Sequence, residues 1–257
     1  MATTPQHEEI STGRPRSTVR TVATVVGILV TLAVLLSLGT WQVERLHWKE
    51  ALLADIAERR AADPVPLAEV EAIERDGGDI EYRRVSVTGT FDHDKERHFF
   101  ATFQGQTGFY VYTPMTLADG RVLFVNRGFV PYEMKDRSTR EAGEVSGVQT
   151  VTGFARTRLD EKPSAIVPDN DLGKNIFYWK DLSAMVSTTG LEASQVLPFF
   201  VDVDASVENA GGWPRGGVTQ FDLPNSHLQY AVTWYGLAAA LVAVVIGMWF
   251  RGRRSQG

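Results

Sequence analysis

Residues 22–38 read VATVVGILVTLAVLLSL, without a single charge, and the reading of that run decides the architecture. At about 1.5 Å per helical residue, about 20 residues cross a hydrocarbon layer about 30 Å thick. A second uncharged run, Leu228–Phe250 (LQYAVTWYGLAAALVAVVIGMWF), satisfies the same requirement near the other end of the chain. The sequence therefore predicts two transmembrane helices, residues 19–40 and 226–250, around a polar domain at 41–225. Residues 1–18, rich in Thr, Pro, Glu and Arg, predict a disordered tail, and residues 251–257 a basic one. Ser37–Gly39 loosely matches a signal-peptidase site. The uncharged run is longer than an ordinary signal core and the helical pattern continues beyond it, so the segment reads as a retained anchor.

Charge sets the expected orientation. Arg14, Arg16 and Arg20 flank the first run, and Arg251, Arg253 and Arg254 follow the second. Short basic flanks stay cytoplasmic, which places both termini inside and the middle domain on the outer, periplasmic face of a cell membrane. Setting aside those six arginines, Glu8 and Glu9 leaves 20 basic and 29 acidic side chains, a net of −9 for the middle. Neither this balance nor the overall −5 suits a nucleic-acid binder. The absence of cysteine removes disulfides, thiolate metal sites and thiol nucleophiles.

Beyond the first span, WQVERLHWKEALLADIAERR (41–60) places Trp41, Trp48, Leu52 and Ile56 on one helical face, and Pro64 and Pro66 end that helix. A short helix is expected at Leu67–Arg75, stopped by Gly77-Gly78. The period then changes to two. RRVSVTGTF, RHFFATF, GFYVYTPMTL, RVLFVNRGFV, VQTVTGFAR and VLPFFVDVD read as strands, with Asp119-Gly120 as a hairpin turn and YWKDLSAMVSTTG as a short helix before Gly190. The fold class is thus a membrane protein whose two transmembrane helices flank an external α+β domain rich in antiparallel strands, a sheet or partly closed barrel.

No H-E-x-x-H, G-x-S-x-G or Walker-type loop is present, so an enzyme is the weak reading. FDHDKERH sets His93 and His98 among acids, but a spacing of five puts the rings on opposite faces of a strand, and a solvated hairpin is expected rather than a metal site. His47 falls on the charged side of its helix.

NSHLQYAVTWYGL (225–237) opens the second span. Ser226 and Gln229 form a capping-box pattern with His227 as the first helical residue. The positive end of the helix dipole and partial desolvation both favour its neutral imidazole, the form that ligates metal. Tyr230 and Trp234 follow at i+3 and i+7. An imidazole above aromatic rings suits a flat apolar macrocycle, and histidine is a common axial ligand of haem iron. Gly39, Thr40, Trp41 and Gln42 lie at the same depth on the first helix, with Arg45 and Lys49 just outside as partners for propionates. The competing reading is an ordinary interfacial aromatic belt. Small residues at Gly236/Ala240, Ala243/Gly247 and Ala23/Gly27 suggest close packing of the two helices.

LGTWQVERLHWK, YRRVSVTGTF, VLFVNRGFVP and PNSHLQYAVTWYGLA, taken in order, closely resemble the surfeit locus protein 1 family, in its bacterial form, from about Leu38 to Trp249. The resemblance implies an inner-membrane factor for the assembly of haem–copper (aa3-type) cytochrome c oxidase. In bacterial members, haem a binding is associated with a histidine in the second membrane helix, which His227 matches, and Tyr230 and Trp234 match the aromatics after it. Ser226 stands where a second Asn is expected. The implied cargo is haem a, with His227 on its iron and Tyr230 and Trp234 beside it; the residue-level reading adds Trp41 and Arg45, at the same depth on the first helix, to the expected cofactor-binding residues. The implied partners are haem a synthase, the oxidase catalytic subunit and the lipid bilayer. The alternative is a scaffold that steadies an oxidase intermediate through its external domain without touching haem. No role transfers to Arg45, Lys49 or Asn126-Arg127-Gly128, and the last is as consistent with a structural turn as with a partner contact.

Overall fold

The structure, a computed structural model, describes residues 16–221 and 223–254. The chain divides into two compact units, Met1–Leu53 with Pro224–Gly257, and Ala54–Leu223.

The first helix, α1 (Arg16–Ala61), runs unbroken through the predicted boundary at 40/41. Nothing between the apolar run and its charged continuation breaks the helical ladder before the Pro64 region. Of the predicted 1–18 tail, residues 1–15, including Arg14, lie outside the described residues, and Arg16–Thr18 already belong to α1. The last helix, α4 (His227–Arg254), carries Arg251, Arg253 and Arg254 in its final turn; residues 255–257 lie outside the described residues. Both helices are long and apolar enough to cross a membrane.

The second unit is built on seven strands: β1 (Val65–Pro66), β2 (Arg84–Phe91), β3 (Arg97–Phe103), β4 (Gln106–Leu117), β5 (Val122–Pro131), β6 (Val148–Thr157) and β7 (Val196–Val203). Their order is β1-β2-β6-β7-β5-β4-β3, and a further β2–β4 pairing closes five of them into a barrel. The length of β4 permits this. Its first half pairs with β3, while Met115–Leu117 pair with Gly89–Phe91 of β2. The barrel is mixed because β5 and β7 run parallel. A parallel neighbour requires a long crossover, and residues 132–195, between β5 and β7, supply it, carrying β6 and α3 (Leu182–Ser187).

Strand alternation separates two cores. Val85, Val87, Met115, Leu123, Val125, Val151, Phe199 and Val201 form one cluster inside the ring. Phe124 and Phe200, between those positions, point the other way and join Tyr112, Phe177, Leu182, Met185 and Val186 beneath α3. Every residue of β5 is buried, as expected of a strand covered on both faces. The short helix α2 (Leu67–Arg75) ends where predicted, with Gly78 N–H bonding Ile73 O at 2.8 Å. Asp181 caps α3 by accepting from Ala184 N–H.

The solvated hairpin expected at His93 and His98 is not what forms. His93 opens a turn in which its Nε2 meets Val145 O at 3.0 Å and its Nδ1 meets an Arg127 nitrogen at 3.2 Å. His98 is buried on β3, its Nε2 2.9 Å from Glu96 Oε1 and its Nδ1 3.2 Å from Asn175 Nδ2. Local pattern reports a polar turn; it does not report that the 140–145 and 175 segments fold over it.

Candidate functional site

The site lies in the unit formed by the first part of α1 and by α4. At the start of α4, Asn225 Oδ1 accepts from His227 N–H at 3.4 Å, and Ser226 O accepts from Tyr230 N–H at 3.2 Å. The helix thus begins at His227, with Asn225 supplying the side-chain bond that the sequence assigned to Ser226.

From there the least exposed positions of α4 are His227, Ala231, Trp234, Ala238, Leu241 and Val245. On α1 they include Ile28, Leu32, Leu35, Gly39, Gln42, Leu46 and Lys49. Steps of four and three in both helices give the 3.5-residue period of a seam where one helix faces another. Three contacts fix its register. The Gln42 side chain, nearly buried, places Oε1 2.8 Å from His227 Nδ1. Thr40 Oγ1 lies 3.1 Å from the Tyr235 hydroxyl. Gly39 lies under the Tyr235 ring so closely that a Cβ there would fall 2.8 Å from ring carbon Cε1. Residues 39–42 therefore face 235–227, and the helices run antiparallel.

Of the five residues expected around the ligand, His227 and Trp234 share this seam. Tyr230, 54% exposed, and Trp41, 51% exposed, turn away from it. Arg45 lies with its guanidinium carbon 4.3 Å from the centre of the Trp48 ring. Among the described residues, no hydrogen bond or ring contact joins Tyr230, Trp41 or Arg45 to His227. Gln42, which the sequence placed at the right depth without a role, is the residue that the structure brings to the imidazole. Its signal was present in the spacing of Leu35, Gly39, Gln42 and Leu46, a seam with one polar member.

The chemistry available is that of a histidine held by one ring nitrogen. With Nδ1 engaged by Gln42, Nε2 has no hydrogen-bond partner among the described residues. Arg45 and Lys49, three and seven residues beyond Gln42, have no ion-pair partner among the described residues. An unengaged imidazole nitrogen, exposed aromatic rings at the same end and two unpaired cations fit a planar apolar ligand that carries carboxylates.

The Asn126-Arg127-Gly128 motif lies in the other unit and is buried. Asn126 Nδ2 donates to Asp202 Oδ1 at 3.0 Å, and Asp202 also binds Arg156 and Thr219. Arg127 bonds His93, Gly143 O and Asn209 Oδ1 and lies over the Phe91 ring. Burial without a carboxylate partner lowers its guanidinium to about 10. These are bonds that tie strands to loops inside the domain.

A SURF1 family model matches residues 29–239. Surfeit locus protein 1 of Rattus norvegicus is 38% identical over 238 residues, covering 86% of this chain and 73% of that protein. Surfeit locus protein 1 of Takifugu rubripes is 38% identical over 240 residues, covering 87% and 94%. A SURF1-like protein of Drosophila melanogaster is 32% identical over 231 residues, covering 83% and 73%.

Proposed function

Because the chain belongs to the SURF1 family, we propose that it is an assembly factor for cytochrome c oxidase that binds haem a at His227 and assists its insertion into the catalytic subunit. In this reading both basic termini are cytoplasmic, the barrel domain stands on the periplasmic side of the inner membrane, and haem a synthase delivers the cargo. The protein is a carrier and not an enzyme.

One observation carries the reading. His227 is anchored through Nδ1 while its Nε2 has no hydrogen-bond partner among the described residues, at the end of a helix pair that is apolar enough for a membrane. An imidazole held at one ring nitrogen keeps the other available to a metal. Arg45 and Lys49, without an ion-pair partner among the described residues, support it, since cations at the membrane surface can pair with haem propionates. Trp41 and Tyr230 present exposed rings at this end and would face the porphyrin from outside the seam.

The test is the absorption spectrum of the chain purified after co-expression with the enzymes of haem a synthesis, beside that of His227→Ala. The expected result is a haem a spectrum in the wild type and its loss in the variant, with the cooperative unfolding of the barrel domain unchanged as a folding control. Equal haem content in the two proteins would remove His227 from the reading. If the variant also supported full oxidase assembly, the scaffold function through the barrel domain would be the one left.

A further inference from the structure

A histidine offers iron only the ring nitrogen that does not hold the proton, so the neighbour of the other nitrogen decides how it binds. For His227 that neighbour is Gln42, whose amide oxygen lies 2.8 Å from Nδ1. An amide oxygen can only accept, so the contact requires hydrogen on Nδ1, and in the neutral ring the lone pair is then on Nε2. Gln42 is nearly buried, and it shares a seam with Gly39, where the close approach to Tyr235 and the Thr40–Tyr235 bond hold the helix register.

We propose that Gln42 is a positioning residue for the haem site. It locks His227 in the Nδ1–H tautomer, presents Nε2 to the ligand and sets the strength of that ligand at an intermediate level. The inference rests on the haem reading given above and extends it to how tightly the cargo is held. Histidine ligands commonly donate their second N–H to a carboxylate or carbonyl, and a carboxylate raises the basicity of the ring most. The uncharged amide polarises Nδ1–H less than a carboxylate does. An amide at this position therefore orients the ring without making it a strongly basic ligand, which suits a cargo that must be released.

Two variants separate the parts of this proposal. Gln42→Leu keeps the volume and removes the acceptor; Gln42→Glu keeps the acceptor and adds charge. The first measurement needs no haem: the ring 15N and 1H signals of the apo-protein in detergent, with the His227 signal identified by its absence in His227→Ala. The wild type should show hydrogen on Nδ1, and Gln42→Leu should show a mixture of both tautomers. Hydrogen on Nε2 in the wild type, or an unchanged tautomer in Gln42→Leu, overturns the proposal. The second measurement titrates haem a into each purified protein. Gln42→Leu should bind about 10–100-fold more weakly, while Gln42→Glu should bind ferric haem more tightly and lower its reduction potential. Identical affinities and potentials in all three proteins would also overturn it. Failure of haem to bind the wild type would instead refute the haem reading and leave the tautomer result to judge Gln42 by itself.

Discussion

Glu96 and Arg140 form an ion pair in which the side chains are only 3% and 1% exposed. The same carboxyl oxygen accepts from His98 at 2.9 Å, and the other oxygen is buried with no hydrogen-bond partner among the described residues. Burial by itself would raise the Glu96 carboxyl, but the bonds from His98 and Arg140 outweigh it and hold the group below the usual carboxylate range. A carboxyl whose folded value is depressed contributes stability above its unfolded value, about 4.3, and that stability is lost as pH falls through the folded value. Glu96→Gln should cost about 3–5 kcal/mol, because it leaves the Arg140 charge buried and unpaired. Glu96→Leu with Arg140→Met should cost far less than the two changes added separately. Urea unfolding of the full-length chain at pH 7 checks both; a single-variant cost below about 1 kcal/mol would contradict the assignment.

Gly128 lies in β5, where the strand meets the segment around Arg215. Its φ is +124°, and a Cβ there would stand 2.0 Å from the Arg215 carbonyl oxygen. Backbone atoms crowd the position, so no side-chain rotation relieves the clash. Gly128→Ala should destabilise the barrel domain by about 3 kcal/mol or more. It should also loosen the Phe129–Arg215 backbone pair, whose two bonds are both 2.8 Å. Hydrogen exchange at the Phe129 and Arg215 amides reads this loosening directly.

Much of this architecture is legible in the sequence because it is written locally. The two uncharged runs, the strands of period two, Leu67–Arg75 and the Asp119-Gly120 hairpin each depend on neighbours a few residues away. Closure of the barrel does not. The β2–β4 pairing joins Gly89 to Leu117, and the parallel β5–β7 pairing joins Phe124 to Phe200. No periodicity encodes which strand edge meets which. The site divides in the same way. From His227, positions i+3 and i+4 lie on either side of one helical face, so period alone cannot choose between Tyr230 and Ala231. The fold chooses Ala231, which is buried, and Tyr230 is turned outward.

That choice has a measurable consequence. Ala231 and Ala238 are the two buried alanines of α4, while Ala239 is exposed. Ala238→Phe should force the seam apart and lower the thermal stability of the helix pair in detergent, whereas Ala239→Phe should leave it within about 0.5 kcal/mol of the wild type. Equal effects of the two changes would mean that the seam lies on another face of α4.

His93 gives the barrel domain a response nearer neutral pH. An arginine always donates, so the 3.2 Å contact with Arg127 requires a lone pair on His93 Nδ1. The hydrogen of the neutral ring is then on Nε2, where it donates to Val145 O at 3.0 Å. Protonation would set a second N–H against the guanidinium. Burial and then Arg127 lower the imidazole below its usual value, against the opposing pull of the Val145 carbonyl, Glu144 and Glu96. The unfolded chain therefore binds this proton more readily than the folded one. The stability at stake is fully present above the unfolded value of about 6.5 and is lost as pH falls from there towards the folded value. Between these limits one proton contributes a slope approaching about 1.4 kcal/mol per pH unit. His93→Gln removes the proton and should flatten the unfolding free energy between pH 7.5 and 5.5 relative to the wild type. Parallel curves for the two proteins would show that His93 takes up no proton on unfolding, and His93 Nδ1 would then not be the acceptor of an Arg127 hydrogen bond.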